Sequence, residues 1–410
     1  MTAPGLGRRR VLGAGAALAA STVAGCSGIA PGASAGRVVV VGGGYGGATA
    51  ARYLKLWGGS GVDVTLVERN AAFVSCPLSN LVLGGYRQMA DITLGYDGLR
   101  AAGVTLLHDE AVAVDVPARK LHLADGSTLR YERLVLSPGV DFMPEAIAGL
   151  GAALDSGRVL HAWKAGPQTL AIFVPKAPYR CPPGPYERAC VVASYLQMAK
   201  PRAKLLLLDA NPEITSKKAL FEAAFERYAG LLEYRPNAEL KELTPTLARL
   251  DFEDVRADVL NVIPPQRAGD LARRAGLVTV NERWVGVDWL TLQSTVAPDI
   301  HVLGDATFAA PAMPKSGHLA NQHAKVAAAA ILRSLQGQPV NATPVMMNTC
   351  YSFVSGDEAM HVASVHQWDA AEKTLKPVSG AGGVSALASR AEARYAMGWA
   401  QNIWADTLAL

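Results

Sequence analysis

The chain has 410 residues, two to three times the length of a typical domain of about 100 to 200 residues, so two or three packed units are expected. Hydrophobic residues make up 50% of the sequence and charged residues only 18%, which excludes a disordered chain and a heptad-based rod. The net charge is +4 and no dense basic run follows the first ten residues, so no nucleic-acid partner is predicted.

The amino terminus has the pattern of an export signal. Three arginines, Arg8 to Arg10, precede an apolar run from Val11 to Gly25. This run of fifteen residues is shorter than the ~20 that a permanent membrane-spanning helix needs. Paired arginines before an apolar run are typical of a twin-arginine signal, which exports proteins that have folded around a cofactor; an ordinary Sec signal is the alternative. We therefore predict an export signal at residues 1–35.

Two processing sites compete at the end of this segment. Val23 to Cys26 resembles a lipoprotein box, which would place a lipid on Cys26, whereas Ala33 to Ala35 is a small-x-small cleavage site. The lipoprotein box is slightly favoured, although one lipid alone gives limited attachment to a membrane. The mature protein is expected in the periplasm or on the outer face of the cytoplasmic membrane, where disulfides form.

The first mature segment predicts a dinucleotide-binding unit. Arg37 to Val41 is a buried-strand pattern that leads through a glycine-rich turn into a helical pattern from Ala48 to Leu56. Gly42, Gly44 and Gly47 fill the three glycine positions of G-x-G-x-x-G. Such glycines permit a tight turn and the close approach of backbone N–H groups to a pyrophosphate at the helix N-terminus.

A second strand supplies the acidic residue that this kind of site needs. Val62 to Val67 reads as a strand, and Glu68 follows at the position where a carboxylate accepts hydrogen bonds from an adenosine ribose. Strand, glycines, helix, strand and acid in this order favour dinucleotide binding over a chance glycine-rich turn.

The middle of the chain reads as a second α/β unit. Ala171 to Val174 and Leu205 to Asp209 are strand patterns, but no G-x-G-x-x-G follows either of them. Prolines after the first strand remove N–H donors that NAD(P)H phosphates require, so nicotinamide chemistry is disfavoured. Only four residues separate Gly166 from Ala171, and this unit therefore looks shortened near Gln168 to Ala171.

A further strand pattern towards the C-terminus, Ile300 to Leu303, is followed by Gly304 and Asp305 and then by a helical pattern from Gly317 to Leu335. This arrangement resembles the second flavin motif of flavoproteins with two dinucleotide-type domains. The resemblance implies that Asp305 binds the ribityl and phosphate part of FAD.

Five cysteines are present, and if Cys26 is lipidated or removed the other four allow three complete pairings. A chain of this length can bury a sufficient core without disulfides, so the positions of the cysteines carry more information than their number. Three of them lie in segments that together resemble the flavoprotein subunit of flavocytochrome c sulfide dehydrogenase. These segments are Ser75-Cys76-Pro77-Leu78-Ser79-Asn80, Tyr179-Arg180-Cys181-Pro182-Pro183-Gly184-Pro185-Tyr186-Glu187-Arg188, Leu260-Asn261-Val262-Ile263-Pro264-Pro265-Gln266-Arg267-Ala268-Gly269, Met313-Pro314-Lys315-Ser316-Gly317 and Asn348-Thr349-Cys350-Tyr351-Ser352.

The resemblance runs from about Arg37 to the C-terminus and implies an α/β fold like that of the disulfide reductases, with two dinucleotide-binding (Rossmann-like) domains and a C-terminal interface domain. The implied FAD domain consists of residues 36–160 and 286–335. Residues 161–285 form the second dinucleotide-like domain with Cys181, and residues 336–410 form the interface domain with Cys350.

The resemblance also assigns roles to the cysteines. It implies a thioether from Cys76 to the flavin 8α-methyl and a redox-active disulfide between Cys181 and Cys350. Pro77 departs from the family, which more often has an aromatic residue there. A helix is predicted after Cys181, from Tyr186 to Lys200. Cys190 is an extra thiol on this helix and is interpreted as inert packing.

Three electrostatic expectations complete the predicted site. The helix after Cys181 is expected to lower the pKa of its thiol. Glu187 is a candidate for moving a proton to or from sulfur, with a helix-capping role as the alternative. Lys315, together with the N-terminus of the helix at Gly317, is expected to place positive potential at the flavin N1 and C2 carbonyl, with a solvated loop cation as the alternative.

The resemblance implies FAD-dependent sulfide oxidation, with electrons passing singly to a c-type cytochrome. The cytochrome is expected to be a separate subunit, because this chain lacks a C-x-x-C-H haem motif. The runner-up enzyme is a sulfide:quinone oxidoreductase. A sulfur-binding protein of the same fold with impaired catalysis is the third alternative. An exported NAD(P)H-dependent disulfide reductase is disfavoured, because no second glycine fingerprint is present.

Overall fold

The structure is a computed structural model that describes residues 36–155 and 168–410. The predicted export signal and Cys26 therefore lie outside the described residues, as does the stretch 156–167 that borders the apparent shortening. The helices of the described part are α1 (Tyr45–Gly58), α2 (Ser79–Leu83), α3 (Asp97–Ala101), α4 (Leu150–Asp155), α5 (Gly184–Ala199), α6 (Lys218–Glu226), α7 (Asp270–Arg274), α8 (Gly317–Leu335) and α9 (Arg390–Leu408).

A five-stranded parallel sheet forms the centre of the first unit. Its central strand is valine-rich and buried on both faces: Val38 and Val40 pack towards α1 and α8, while Val39 and Val41 pack on the opposite side. Such continuous apolar strands are typical of parallel sheets covered on both faces. The strand order is Ile300–Val302, Arg133–Leu136, Arg37–Val41, Asp63–Val67 and Thr105–Leu107. A strand from the C-terminal half thus completes a sheet begun at the N-terminus.

A second parallel sheet lies in the middle of the chain. Its four strands occur in the order Leu232–Arg235, Lys204–Asp209, Thr169–Val174 and Val259–Val262. One face packs against α5 and α6, and Cys190 lies fully buried in that core. The other face is covered by a three-stranded antiparallel sheet of strands Leu240–Leu243, Leu247–Leu250 and Asp254–Arg256. The middle unit is therefore a packed α/β layer structure.

The C-terminal unit is an antiparallel sheet of three long strands, Val345–Phe353, Ala359–Asp369 and Thr374–Val384, followed by α9. Trp404 of α9 is buried and donates hydrogen bonds from Nε1 to Ser75 Oγ at 2.9 Å and to Tyr45 Oη at 3.1 Å. This helix therefore packs onto the first unit. No helix in the two described ranges is long and apolar enough to cross a membrane.

The remaining strands are short and pair with one another in small antiparallel sheets. They are Phe73–Val74 with Thr93–Leu94, Ala111–Asp115 with Lys120–Leu123 and Thr128–Arg130, Val140–Phe142 with Gln266–Ala268, and Val278–Val280 with Trp284–Val285.

Two predicted boundaries illustrate how local sequence controls the elements. The helix predicted from Gly317 to Leu335 has these limits, and the Ser316 side chain caps it by accepting from Leu319 N. The helix predicted from Tyr186 to Lys200 begins earlier, at Gly184, because Pro185 suits the first turn of a helix, where no N–H is needed.

Candidate functional site

The glycine loop between the strand Arg37–Val41 and α1 is built for a close ligand approach. Gly42 has φ +94°, and a Cβ on Gly47 would lie 1.8 Å from the Gly42 carbonyl oxygen, so both glycines are required by the turn itself. A Cβ on Gly44 would meet no protein atom within 4 Å. Gly44 lines an open cleft, and a glycine there leaves room for a ligand beside the N-terminus of α1.

Glu68 holds this loop and faces the same cleft. Its buried carboxylate accepts from Gly43 N at 2.5 Å through Oε2, and from Asn70 N at 2.7 Å and Asn70 Nδ2 at 2.6 Å through Oε1. A carboxylate has about four acceptor positions, so three protein donors leave one for a ribose hydroxyl. The position of Glu68 is consistent with its predicted role in binding the adenosine part of FAD.

The cleft has a volume of about 410 Å³, and its mixed polar and apolar lining includes Gly42, Gly44, Glu68, Arg180 and Arg274. Exposed N–H groups at a helix N-terminus and two guanidinium groups suit the phosphates of a dinucleotide.

Asp305 is the second residue predicted to bind the cofactor. It lies in the 3-10 turn Gly304–Ala306 after the strand Ile300–Val302, and its buried Oδ1 has no hydrogen-bond partner in the described residues. Burial raises the pKa of this carboxyl group, while the charges of Arg180 and Lys315 act in the opposite direction. An unpaired buried acceptor is costly, and a ribityl hydroxyl would satisfy it. Together with Gly44, it indicates that the residues present fit FAD.

Lys315 is a buried cation and not a solvated loop residue. Its Nζ donates to Asp305 O at 2.9 Å and to Thr307 O, and lies 3.7 Å from the centroid of the Trp284 ring. Burial lowers the pKa of Lys315 to about 8. Lys315 thus fastens the turn that carries Asp305, while its effect on a flavin ring stays a prediction.

Three cysteines from distant parts of the chain converge beside these residues. The thiol of Cys76 interacts electrostatically with Arg180, Asp305 and Cys350, and that of Cys181 interacts with Cys350 and Cys76. All four described cysteines are free thiols in the structure, so the implied Cys181–Cys350 disulfide is not formed in it.

Cys76 is exposed to solvent, and the charge of the Arg180 guanidinium favours the thiolate form of its side chain. The segment is held next to the cleft by Ser75, whose Oγ lies 2.8 Å from Tyr45 Oη, and by Ser79, whose Oγ donates to Cys76 O at 2.7 Å.

The prediction that the following helix lowers the pKa of Cys181 is wrong. Burial raises the pKa of this thiol, and the neighbouring Cys350 and Glu187 raise it further. The helix dipole is a modest effect at a terminus, whereas loss of water disfavours a thiolate strongly. Cys181 has φ +57°, and its N–H donates to Lys315 O at 2.9 Å. Burial therefore disfavours the thiolate form of both cysteines, and a nearby cation or base would favour it.

Glu187 is buried beside the cysteine pair, on the first turn of α5. It accepts from Phe353 N at 3.1 Å and from Asn80 Nδ2 at 3.0 Å. Burial raises the pKa of its carboxyl group above the ordinary value of 4.5, and its charge acts on both Cys181 and Cys350. A carboxyl group with a raised pKa at this position is suited to exchange protons with sulfur.

Sequence reasoning missed two cations of this site. Arg180 directly precedes Cys181, so a cation adjacent to a reactive cysteine was a usable signal. Lys217 has no such signal: it lies in a loop far from every cysteine in sequence, and only the fold brings its Nζ to 3.1 Å from Cys350 O. Cys190, in contrast, is fully buried in the core of the middle unit, in agreement with its interpretation as packing.

The glycine loop supports a testable separation of cofactor binding from folding. We expect Gly44→Ala to leave the thermal midpoint of the apoprotein unchanged, because its φ of −71° suits alanine and no protein atom lies in the way. We expect FAD occupancy to fall by about tenfold or more, because the added Cβ enters the space of the pyrophosphate. Flavin content after purification and thermal melting measure the two effects. Gly61→Ala, at another open position, is the matched control, and full flavin content in Gly44→Ala would contradict the assignment.

Three family models match the chain. Residues 36–170 match the pyridine nucleotide-disulphide oxidoreductase model, residues 157–264 match the central part of the sulfide dehydrogenase (flavocytochrome c) flavoprotein chain, and residues 342–408 match the flavin-binding part of flavocytochrome c sulphide dehydrogenase. The two specific models include the segments that carry Cys181 and Cys350.

Known proteins give the same picture. The chain is 61% identical to the sulfide dehydrogenase (flavocytochrome c) flavoprotein chain of Chlorobaculum thiosulfatiphilum over 46 residues, which are 11% of this chain and 94% of that sequence. It is 25% identical to the mitochondrial sulfide:quinone oxidoreductase of Dictyostelium discoideum over 300 residues, 66% of this chain and 65% of that protein. The solved sulfide:quinone oxidoreductase of Aquifex aeolicus has a similar fold, with a TM-score of 0.73 at 17% identity over 90% of this chain and 91% of the other. The expected disulfide-reductase-like fold is thereby confirmed.

Proposed function

Because the chain belongs to the family of flavocytochrome c sulfide dehydrogenase flavoprotein chains, we propose that it is an FAD-dependent sulfide dehydrogenase that passes electrons to a c-type cytochrome. The observation that carries this proposal is the convergence of Cys181, Cys350 and Glu187 beside the cofactor residues Cys76 and Asp305. A cysteine pair next to a flavin site is suited to two-electron oxidation of a sulfur nucleophile.

In the proposed reaction the oxidised protein has a Cys181–Cys350 disulfide. HS⁻ attacks one of the two sulfur atoms, the S–S bond breaks, and a persulfide forms on the attacked cysteine while the other leaves as a thiolate. One sulfur–sulfur bond is formed and one is broken. The sulfur of sulfide is thereby oxidised, and the two electrons are held by the cysteine that leaves as the thiolate. FAD, held by the glycine loop, Glu68, Asp305 and a proposed thioether to Cys76, supplies the acceptor for these electrons when bound.

Glu187 is proposed as the base that takes a proton from incoming H₂S. Its carboxylate form is lost as the pH falls through its raised pKa, so activity should decline at a higher pH than an ordinary glutamate would cause. We expect Glu187→Gln to lower the rate of sulfide-dependent flavin reduction by roughly 10²-fold and to remove this acid limb. Anaerobic stopped-flow measurement across pH tests both effects. Glu222→Gln, an exposed carboxylate on α6, is the control, and an acid limb that survives in Glu187→Gln would assign it to another group.

The acceptor is tested by direct competition. The protein with bound FAD is mixed anaerobically with sulfide and either a c-type cytochrome or a soluble quinone analogue. Faster reduction of the cytochrome supports the proposal. Preferential reduction of the quinone would favour the second candidate, a sulfide:quinone oxidoreductase, which the similarity to the Dictyostelium relative supports. Flavin that does not bleach with sulfide would contradict both enzymes and leave a sulfur-binding protein.

The location of the protein is a separate proposal. We propose export by the twin-arginine route and lipid attachment at Cys26, which the pattern of residues 8–26 supports. Mass spectrometry of the mature N-terminus tests it: a lipid-modified Cys26 is expected, and an N-terminus after Ala35 would replace the lipoprotein assignment.

A further inference from the structure

Lys217 is a buried cation beside the cysteine pair with no assigned role. We propose that Lys217 is a positioning residue that stabilises negative charge on sulfur at the Cys350 end of the pair. The inference rests on the proposed disulfide exchange and identifies the group that offsets the charge developing there.

Lys217 is buried without a carboxylate in direct contact with its ammonium group. Its side chain is only 8% exposed, and its Nζ donates to Cys350 O at 3.1 Å. Lys217 forms no ion pair with a carboxylate of the described ranges, and the charge of Glu187 acts on it only from a greater distance. A buried ammonium group without an ion pair is costly, so its retention points to an anionic partner that exists only during the reaction.

The fold directs the ammonium group towards the cysteines. Lys217 immediately precedes α6. Its φ of +55° is a left-handed backbone conformation that residues other than glycine seldom adopt. The fully buried ring of Phe221 also lies near the ammonium group, 5.9 Å from Nζ to the ring centroid. The titratable groups whose charges act on Lys217 are Cys350, Glu187 and Cys181.

Both the electrostatics and the proposed reaction indicate that Lys217 acts on the Cys350 sulfur. Among the charged groups, Lys217 is the main one that opposes the effect of burial on the Cys350 thiol. When HS⁻ attacks the disulfide, Cys350 either receives the anionic nucleophile or departs as the thiolate. In both directions of attack negative charge reaches the sulfur of Cys350, and a fixed cation stabilises it without reorganising.

The test measures the ionisation of Cys350 in the reduced protein with FAD bound. The rate of iodoacetamide alkylation at Cys350 is followed against pH by peptide mass spectrometry. We expect Lys217→Met to move the midpoint of this profile upwards by about one pH unit or more, because a neighbouring cation favours the thiolate. Lys217→Gln, which can still donate to Cys350 O but has no charge, should give the same shift, and Lys217→Arg should remain near the wild type.

Lys218→Met is the matched control, since Lys218 is the next residue, is exposed and pairs only with surface Glu213 in the described part of the chain. An unmoved midpoint in a folded Lys217→Met or Lys217→Gln protein would overturn the inference. Alkylation requires neither sulfide nor an electron acceptor, so its outcome is independent of whether the proposed enzymatic function holds.

Discussion

Replacing Cys350 by serine is expected to slow sulfide-dependent flavin reduction by about 10³-fold or more, because without the second sulfur no disulfide exists for HS⁻ to attack. Cys181→Ser should have an effect of the same size. The double variant should be no slower than either single variant, because the two cysteines act as one unit. Anaerobic stopped-flow bleaching of the flavin measures all three rates.

The control for this series is Cys190→Ala. Cys190 lies on the same helix as Glu187 but is fully buried in the core of the middle unit. Its substitution should leave the rate within a small factor of the wild type. Flavin content must be equal in all variants, so that loss of cofactor is not mistaken for loss of chemistry. A Cys350→Ser protein that bleaches within about tenfold of the wild-type rate would contradict disulfide exchange.

Replacing Cys76 by alanine is expected to change the flavin from covalently attached to fully released on acid precipitation. No other described cysteine is proposed to be attached to the flavin, and the proposed thioether would survive unfolding of the protein, whereas noncovalent contacts would be lost. Before precipitation the variant should still bind FAD, because the glycine loop, Glu68 and Asp305 are unchanged. The measurement is the division of flavin absorbance between the precipitate and the supernatant.

Cys190→Ala again serves as the control and should retain its flavin in the precipitate. Release from the wild-type protein itself would show that no thioether forms and would leave Cys76 as a residue near the flavin. This outcome would also give a chemical meaning to Pro77, the departure from the family pattern that directly follows the cysteine.

The cofactor loop and the second parallel unit were predictable because their signals are local. The strand Arg37–Val41, the glycines and α1 are contiguous, and the conformations that Gly42 and Gly47 need are dictated by neighbouring backbone atoms. The helix limits at Gly317–Leu335 were predictable for the same reason, because Ser316 caps the helix from the adjacent position. The roles of Cys181, Cys350 and Glu187 came from the family resemblance, and their convergence in space agrees with it.

The electrostatics of the site depended on packing. The sequence placed Cys181 before a helix and predicted a lowered pKa, but burial and the neighbouring Cys350 and Glu187 raise the pKa of this thiol. Packing also excludes the alternative of a solvated loop cation for Lys315, which is a buried group held by two carbonyl oxygens and an indole ring.

The sequence by itself determined the fold class, the dinucleotide loop and the cysteines, because periodicity, glycine spacing and motifs are properties of adjacent residues. Only the tertiary structure decided which cations face the sulfur atoms and whether a thiol loses its water. Desolvation and charge interactions act through space. The main charge that acts on Cys350 belongs to Lys217, which lies far from it in the chain.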